Sequence, residues 1–148
     1  MAIQTYITHS AEETQKIGEA LGKTITPPQI IAFTADLGGG KTTFIQGLAK
    51  GLGIKSRVNS PTFVLEKIYP IPKKRFALYH YDVYRLAADP LLTSEILENA
   101  RTNIVTIEWA EKIKKYLPIK SFQVWKLLNL LSNILMNPKG DMNEFNGY

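Results

Sequence analysis

The sequence feature that most constrains this chain is a glycine-rich segment at residues 35–43, which separates a short apolar run from an amphipathic one. The run before it, residues 30–34, has the apolar and β-branched character of a buried strand. After it, apolar residues recur at helical spacing up to Leu52, and Gly51 and Gly53 indicate the end of a helix. A strand, a glycine-rich turn and a helix in this order are typical of an α/β fold.

The segment A-D-L-G-G-G-K-T at residues 35–42 nearly matches the G-x-x-x-x-G-K-[ST] pattern of loops that bind nucleoside triphosphates. Glycines allow successive backbone N–H groups to point into one concavity, and the following helix directs its positive end toward the phosphates. We expect Lys41 to contact the β- and γ-phosphates and the Thr42 hydroxyl to bind Mg²⁺. The other nucleotide contacts predicted from this loop are Asp36, Leu37, Gly38, Gly39, Gly40 and Thr43.

Ala35 departs from the pattern, since it occupies the position of the first glycine. If that position requires a positive φ, alanine costs about 1 kcal/mol in strain, so we expect a locally altered loop. A flexible glycine-rich turn would be the plainer interpretation, but the flanking strand and helix favour a phosphate loop. The sequence contains no N-K-x-D element for recognising guanine, and this favours ATP over GTP.

The composition predicts a single globular domain. The chain has 148 residues, of which 45% are hydrophobic and 21% charged, and it has no internal repeat or low-complexity linker. We expect one domain at residues 1–136, followed by a polar tail at residues 137–148. No secretory signal and no apolar stretch of the roughly 18 residues that span a bilayer are present, so we expect a cytoplasmic protein without membrane contact. The absence of cysteine excludes disulfides and thiol catalysis.

The net charge of +5 permits contact with nucleic acid without requiring it. Basic residues cluster at positions 73–75 and again at Lys112, Lys114 and Lys115. Each cluster is either solvated surface or part of a nucleic-acid footprint. Neither has interleaved aromatic side chains on which bases could stack, and this favours solvated surface.

Other segments predict helices and strands around the loop. Ser10 and Glu13 form a capping box, which predicts the start of a helix. Residues 62–69 and 76–81 are two extended segments joined by a short turn, which predicts an antiparallel hairpin. Residues 103–109 have the character of another buried strand. We therefore predict an α/β fold, a three-layer α/β/α sandwich of the P-loop NTPase type with a mixed, mainly parallel sheet.

The segment after Pro118 is ambiguous. It begins like a strand, but Val124, Leu128, Leu131 and Leu135 recur at the spacing of one helix face. The residue pattern alone leaves both a strand and a helix open for this part of the chain. A helix here would need to pack its apolar face against the sheet or against a partner.

Three residues outside the loop are candidates for the same site. Glu108 ends the predicted strand at 103–109, where α/β sheets bind ligands; it is either a metal-side carboxylate or an exposed residue that starts the next helix. Asp82 either orients the attacking water or holds a metal-bound water, or it caps a helix. His80, beside two tyrosines, is more typical of a packed core residue than of a proton shuttle.

Several motifs in register resemble one family. A-D-L-G-G-G-K-T-T-F, N-S-P-T-F, L-Y-H-Y-D-V-Y-R-L and T-I-E-W follow one another in the order and spacing of the TsaE (YjeE) family. The likeness extends from about residue 10 to residue 117. The chain departs from the family at Ala35, in a connection at residues 86–108 that lacks a usual glycine, and after Pro118, where the family tends to continue in alternating strands.

The resemblance to TsaE implies an ATPase of P-loop fold that uses ATP and Mg²⁺. It implies a requirement for this ATPase in threonylcarbamoyl modification of the adenosine next to the anticodon in tRNA. The resemblance also implies that the protein acts with TsaB and TsaD and meets tRNA only indirectly, through their complex. Hydrolysis of ATP is then expected to be weak without these partners.

The same resemblance implies roles for individual residues. Lys41 matches the phosphate-binding lysine and Asp82 matches an aspartate implicated in hydrolysis, so both are predicted to be catalytic. Thr42 and Glu108 match the Mg²⁺ ligands. Two further matches lie beside the nucleotide: Thr62, in a switch-like loop with Ser60 and Pro61, and Trp109, which otherwise would be a core tryptophan.

A small P-loop kinase of a nucleoside or metabolite is the alternative function. Such a kinase needs an acceptor pocket and usually a lid that carries arginine. No lid-sized insertion occurs, and Arg85 is the only arginine near the motif residues. A GTP-dependent switch or a scaffold without enzymatic activity is a second alternative, and the missing N-K-x-D element counts against the switch.

Overall fold

The computed structural model describes residues 4–34, 36–87, 89–117, 122–128 and 133–137. Within these residues the helices are α1 (Ala11–Gly22), α2 (Lys41–Gly51) and α3 (Pro90–Ala100), with short 3-10 helices at Ala110–Lys112 and Lys114–Tyr116. The strands are β1 (Gln4–Ile7), β2 (Gln29–Thr34), β3 (Glu66–Pro70), β4 (Ala77–Asp82), β5 (Ile104–Glu108), β6 (Phe122–Leu128) and β7 (Asn133–Asn137). None of the helices in this described part of the chain is long and apolar enough to cross a membrane.

The strands form one mixed sheet in the order β1-β7-β6-β2-β5-β4-β3. The four central strands, β6, β2, β5 and β4, are parallel to one another. The strands at the two sides, β1, β7 and β3, pair antiparallel with their neighbours. The predicted mixed sheet with a parallel centre is therefore confirmed.

Helices cover both faces of the sheet, which confirms the predicted three-layer sandwich. On one face, Ile31 and Phe33 of β2 belong to a buried cluster with Leu48 of α2. On the other face, Ile30 of β2 belongs to a second cluster with Ile96 of α3. Because β2 is buried on both faces, its apolar residues follow one another without the alternation of a half-exposed strand.

Helices α1 and α2 approach each other backbone to backbone at glycine positions. A Cβ added to Gly47 of α2 would lie 2.0 Å from the carbonyl oxygen of Gln15, and one added to Gly18 of α1 would lie 2.2 Å from that of Phe44. Both distances are far below van der Waals contact, so no larger residue fits without a backbone shift. Because α2 begins at the glycine-rich loop, this contact also supports the helix that leads from the loop.

The capping box at the start of α1 is confirmed. Ser10 Oγ accepts a hydrogen bond from the Glu13 N–H at 3.2 Å, and the Glu13 carboxylate accepts one from the His9 N–H at 2.7 Å. The Ser10 side chain thereby pairs a first-turn N–H that the helix cannot satisfy, while Glu13 reaches back to the N–H one residue before the cap rather than to that of Ser10 itself.

The predicted hairpin is also confirmed, because β3 pairs antiparallel with β4. Strand β3 begins at Glu66 rather than at residue 62, however. Residues 62–65 form a turn, in which the Leu65 N–H donates to the Pro61 carbonyl at 2.7 Å and Leu65 has a positive φ of 70°. The Leu65 carbonyl still accepts from the Asp82 N–H of β4 at 3.0 Å, so the turn stays attached to the sheet beside the strand end.

The ambiguous segment after Pro118 forms two strands. Strand β6 pairs parallel with β2 and antiparallel with β7. Pairing with a central strand, rather than the local spacing of apolar residues, decided between strand and helix. Residues 118–121 and 129–132 lie outside the described residues, as does the predicted tail apart from Asn137, which ends β7.

We expect Gly47→Ala to lower the free energy of unfolding by about 1–3 kcal/mol, measured by urea denaturation. Overpacking against the backbone of Gln15 outweighs the gain of up to about 1 kcal/mol that alanine has over glycine in a helix. Ser94→Ala, at an exposed position of α3, is the matched control and should change stability by about 0.5 kcal/mol at most. Equal stability of the Gly47→Ala protein and the wild type would contradict the close helix contact.

Candidate nucleotide-binding site

A cavity of about 330 Å³ opens where β2, β4 and β5 end. Ligands of α/β sheets bind at this carboxyl edge of the strands. Ser60 lines the cavity, and so do all the residues predicted for the site except Asp36: Leu37, Gly38, Gly39, Gly40, Lys41, Thr42, Thr43, Thr62, Asp82, Glu108 and Trp109.

The glycine-rich loop follows β2 and leads directly into α2. Gly38 and Gly40 have positive φ values of 76° and 88°, which glycine adopts without the strain that a Cβ would cause. The Gly39 N–H donates to the Asp36 carbonyl at 3.0 Å and closes a turn. The first N–H groups of α2, with the helix dipole, then provide an anion site. Ala35 lies outside the described residues, so the strain expected there stays a prediction.

Lys41 is the first residue of α2, and it is only 5% exposed. Its Nζ donates to the Asp36 carbonyl at 3.1 Å and lies 3.8 Å from the centroid of the Trp109 ring. Burial lowers the pKa of Lys41 below its ordinary value of 10.5, and the nearby charge of Glu108 partly opposes this shift. The ammonium group therefore lies in a desolvated place where an anionic ligand would be attracted strongly.

Trp109 lies at the cavity wall and is not a simple core residue. It follows β5 directly, is half-buried, and has a positive φ of 62°. A residue other than glycine in this left-handed region carries strain of about 1 kcal/mol or more. This backbone conformation accompanies an indole ring that covers Lys41 and packs against the Tyr84 ring at 4.8 Å between centroids.

Tyr84 is a residue that the sequence reasoning did not single out. Besides packing on Trp109, Tyr84 contacts Lys112, the last residue of the first 3-10 helix. The Lys112 Nζ lies 4.8 Å from the centroid of the Tyr84 ring and donates a hydrogen bond to the Tyr84 carbonyl oxygen. One signal was available, because Tyr84 follows Asp82 by two residues within the motif Y-D-V-Y-R. One residue of the second basic cluster, the exposed Lys112, thus contacts a side chain that packs on the cavity wall.

Glu108 is the last residue of β5 and is 3% exposed. The alternative of an exposed glutamate that starts a helix is therefore wrong. Its Oε1 accepts a hydrogen bond from Thr42 Oγ1 at 2.8 Å, so the two residues predicted to bind metal lie in direct contact. The same Oε1 lies 2.8 Å from Nε2 of His80, which is fully buried as expected for a core residue.

Asp82 is the last residue of β4 and lies beside Glu108 in the parallel register of β4 and β5. Its Oδ2 accepts from Ser60 Oγ at 2.8 Å and from Thr62 Oγ1 at 2.6 Å, while Oδ1 accepts from the Tyr84 N–H at 2.9 Å. The carboxylate therefore closes a local turn and ties the loop at residues 60–65 to the sheet. It does not cap a helix, since Asp89 caps α3.

The arrangement fits a magnesium-bound triphosphate. Lys41 and the start of α2 offer positive charge and N–H donors, which suit phosphate oxygens. The hydroxyl of Thr42 and the carboxylate of Glu108 are oxygen ligands of the kind that Mg²⁺ prefers. Mg²⁺ is usually held by one or two protein groups together with phosphates; the described residues contain no group of three or more His, Asp or Glu side chains that could hold a metal.

We expect Lys41→Met to raise the free energy of unfolding of the nucleotide-free protein at pH 7. The pKa of Lys41 is lower in the folded protein than in the unfolded chain, so between these two pKa values the unfolded chain binds more protons. Below both pKa values Lys41 is charged in either state, and burying that charge lowers the free energy of unfolding. That cost disappears as the pH rises toward 10.5, so the difference in the free energy of unfolding between Lys41→Met and the wild type should become smaller. Urea denaturation at pH 7 and 9.5 measures both effects.

Lys55→Met, at an exposed position, is the control for this substitution and should show neither effect. A Lys41→Met protein that is less stable than the wild type at pH 7 would contradict the desolvation of Lys41. So would a stability difference that does not narrow with rising pH.

Comparison with known proteins finds relatives along most of the chain. The family described as "Threonylcarbamoyl adenosine biosynthesis protein TsaE" matches residues 8–130. The tRNA threonylcarbamoyladenosine biosynthesis protein TsaE of Treponema pallidum is 35% identical over 116 residues, which are 76% of this chain and 82% of that protein. The protein of the same name from Rickettsia bellii is 38% identical over 120 residues, which are 80% and 82% of the two chains.

A solved structure agrees with these relatives. The crystal structure of YdiB from Bacillus subtilis matches with a TM-score of 0.73 and 28% sequence identity, over 98% of this chain and 90% of that one. The TsaE protein of Bacillus subtilis is 37% identical over 119 residues, which are 79% of this chain and 73% of that protein. With the family matched over residues 8–130, this chain belongs to the TsaE family.

Proposed function

We propose that this protein binds ATP with Mg²⁺ and hydrolyses it as the ATPase subunit of tRNA threonylcarbamoyladenosine biosynthesis. The observation that carries the proposal is the convergence of Lys41, Thr42, Asp82 and Glu108 on one cavity at the glycine-rich loop. Membership of the TsaE family supports the part of the proposal that concerns tRNA, since the relatives are named for this modification.

Binding of the triphosphate is assigned to the loop and the start of α2. Lys41 exchanges the neutral carbonyl of Asp36 for phosphate oxygens, which are stronger acceptors because they are charged. Thr42 and Glu108 would hold Mg²⁺, which would offset part of the negative charge of the phosphates. Thr62 and Trp109 line the remaining space beside the nucleotide.

Hydrolysis is assigned to Asp82, which orients the attacking water. An ionised carboxylate has about four acceptor positions. Three of them are occupied by described residues, namely by the Ser60 and Thr62 hydroxyls and the Tyr84 N–H. A water therefore has one position left unless the loop at residues 60–65 moves, and this supports a slow reaction in the isolated protein.

The partners in this proposal are the TsaB and TsaD proteins. The TsaE-like subunit does not modify tRNA alone; it hydrolyses ATP so that the complex with TsaB and TsaD can turn over repeatedly, and tRNA is met through that complex. Completion of the catalytic arrangement by a partner is a common route to control of a slow hydrolase. The hydrogen bonds that hold Ser60 and Thr62 on Asp82 identify what a partner would have to change.

We expect Lys41→Ala and Asp82→Ala to separate binding from hydrolysis. Lys41→Ala should weaken ATP binding by roughly 1.5–3 kcal/mol, because a charge-assisted hydrogen bond is lost. Asp82→Ala should bind ATP within a few-fold of the wild type but hydrolyse it roughly 100-fold more slowly, since water is no longer oriented. Calorimetric titration with ATP and phosphate release in single-turnover conditions measure the two effects.

Lys55→Ala is the surface control for both measurements and should behave like the wild type. ATP affinity that is unchanged in Lys41→Ala would remove the phosphate role of Lys41. Normal hydrolysis in Asp82→Ala would reduce Asp82 to a structural residue of the turn.

We expect the protein to co-purify with TsaB and TsaD in the presence of ATP, and its ATP turnover to increase in their company. The physical reason is that the partners complete an arrangement that the isolated chain holds in a resting state. Pull-down with tagged TsaD, with and without ATP, and phosphate release by the assembled mixture are the measurements. A lack of association in both conditions would leave an ATPase without a place in the tRNA modification.

A further inference from the structure

His80 is fully buried on β4, and only one of its two ring nitrogens has a hydrogen-bond partner. Nε2 lies 2.8 Å from Oε1 of Glu108, whereas the buried Nδ1 has no partner among the described residues. An unpaired buried nitrogen is unfavourable, and an apolar side chain would fill the same place without that disadvantage. The contact with Glu108 is therefore the property that distinguishes histidine from an apolar residue at this position.

The hydrogen-bond chemistry defines which atom donates. A carboxylate that binds a cation is ionised and only accepts, so in the cation-bound site the proton of this hydrogen bond belongs to Nε2 of His80. Oε1 of Glu108 thus accepts from two elements of the fold, from His80 on β4 and from Thr42 on α2. Glu108 is only 3% exposed, and one of its oxygens has two donors. Together these contacts fix the orientation of the carboxylate group at the end of the side chain.

The two donors differ in how firmly they are held. Thr42 lies on the cavity wall, and its hydroxyl rotates to suit whichever group is present. His80 has no exposed surface and belongs to a strand that is paired on both sides, with β3 and with β5. When the hydroxyl of Thr42 turns toward a ligand, His80 remains as the donor that keeps Glu108 in place.

We propose that His80 is a positioning residue, whose Nε2–H holds the Glu108 carboxylate in the orientation required for a divalent cation bound with the triphosphate. This inference rests on the proposed function, because it assigns a second contact to the same site. Residues that donate to a metal-binding carboxylate typically change metal affinity by roughly 10- to 100-fold when they are replaced. His80 itself does not line the cavity, so any effect on the ligand acts through Glu108.

The test compares two substitutions of His80 by amide side chains, whose N–H donors lie near different nitrogens of the original imidazole ring. His80→Gln carries an N–H near the position of Nε2, whereas His80→Asn carries it near the position of Nδ1, which has no partner in the wild type. Binding of a non-hydrolysable ATP analogue is measured by calorimetry in EDTA and at increasing Mg²⁺. In EDTA the wild type and both variants should bind alike. The Mg²⁺ concentration that gives half of the increase in affinity for the analogue should rise roughly 10- to 100-fold in His80→Asn and only a few-fold in His80→Gln.

Two further variants keep the result interpretable. His80→Leu is a second loss variant, since it introduces no unpaired polar atom, and it should show the same rise as His80→Asn. Thr106→Val removes another side-chain hydrogen bond of this sheet, from the buried Thr106 Oγ1 to the Tyr79 carbonyl, without touching Glu108. It should keep the Mg²⁺ dependence of the wild type. The thermal midpoint of each protein without ligand shows that the variants compared are folded.

The failure of this inference is distinguishable from that of the proposed function. If Mg²⁺ does not strengthen nucleotide binding by the wild type, the proposed magnesium site itself is wrong. If Mg²⁺ strengthens binding by the wild type and equally by folded His80→Asn or His80→Leu, His80 has no positioning role. An equal loss in His80→Gln and His80→Asn would also overturn the inference, because the position of the donor would then not matter.

Discussion

Parallel pairing of β5 with its two neighbours is the constraint on which the site depends. In this register Glu108, at the end of β5, lies beside Phe33 of β2 and Asp82 of β4. Parallel strands bring their carboxyl ends to one edge of the sheet, so the glycine-rich loop and both carboxylates meet there, although 66 residues separate Thr42 from Glu108. A slip of one residue in β5 would turn its side chains to the opposite face and separate Glu108 from Thr42.

The site concentrates three buried charged side chains, and each has a polar partner. Lys41, Asp82 and Glu108 are all 5% exposed or less. Removing charge from water is unfavourable unless the charge is paired, and here carbonyl, hydroxyl and imidazole groups supply the partners. Such an arrangement suits the magnesium-bound triphosphate that we propose, at a cost in stability that functional sites commonly carry. The core on both faces of the sheet and the close α1–α2 contact offset that cost.

Much of the fold was predictable because its signals are local. The glycine-rich loop with its strand and helix, the capping box at Ser10 and the β3–β4 hairpin follow from residue types over short stretches. Helix α3 also had a local signal, Asp89 as its cap with Pro90 in the first turn, which the sequence reasoning did not use. Strands β6 and β7 had a mixed signal, because their segment begins like a strand but its apolar spacing also suits a helix. Pairing of β6 with β2, and of β7 with β6 and β1, favoured strands.

By itself, the sequence determined that a glycine-rich loop of the triphosphate-binding pattern lies between a strand and a helix, and that Asp82 and Glu108 each follow an extended segment. These properties depend on residue type and spacing along a few turns of chain. Only the tertiary structure decided that Asp82 accepts from Ser60 and Thr62 instead of capping a helix, and that Glu108 accepts from Thr42 and lies against His80. Such contacts join residues that are far apart in the chain, and strand order and register bring them together.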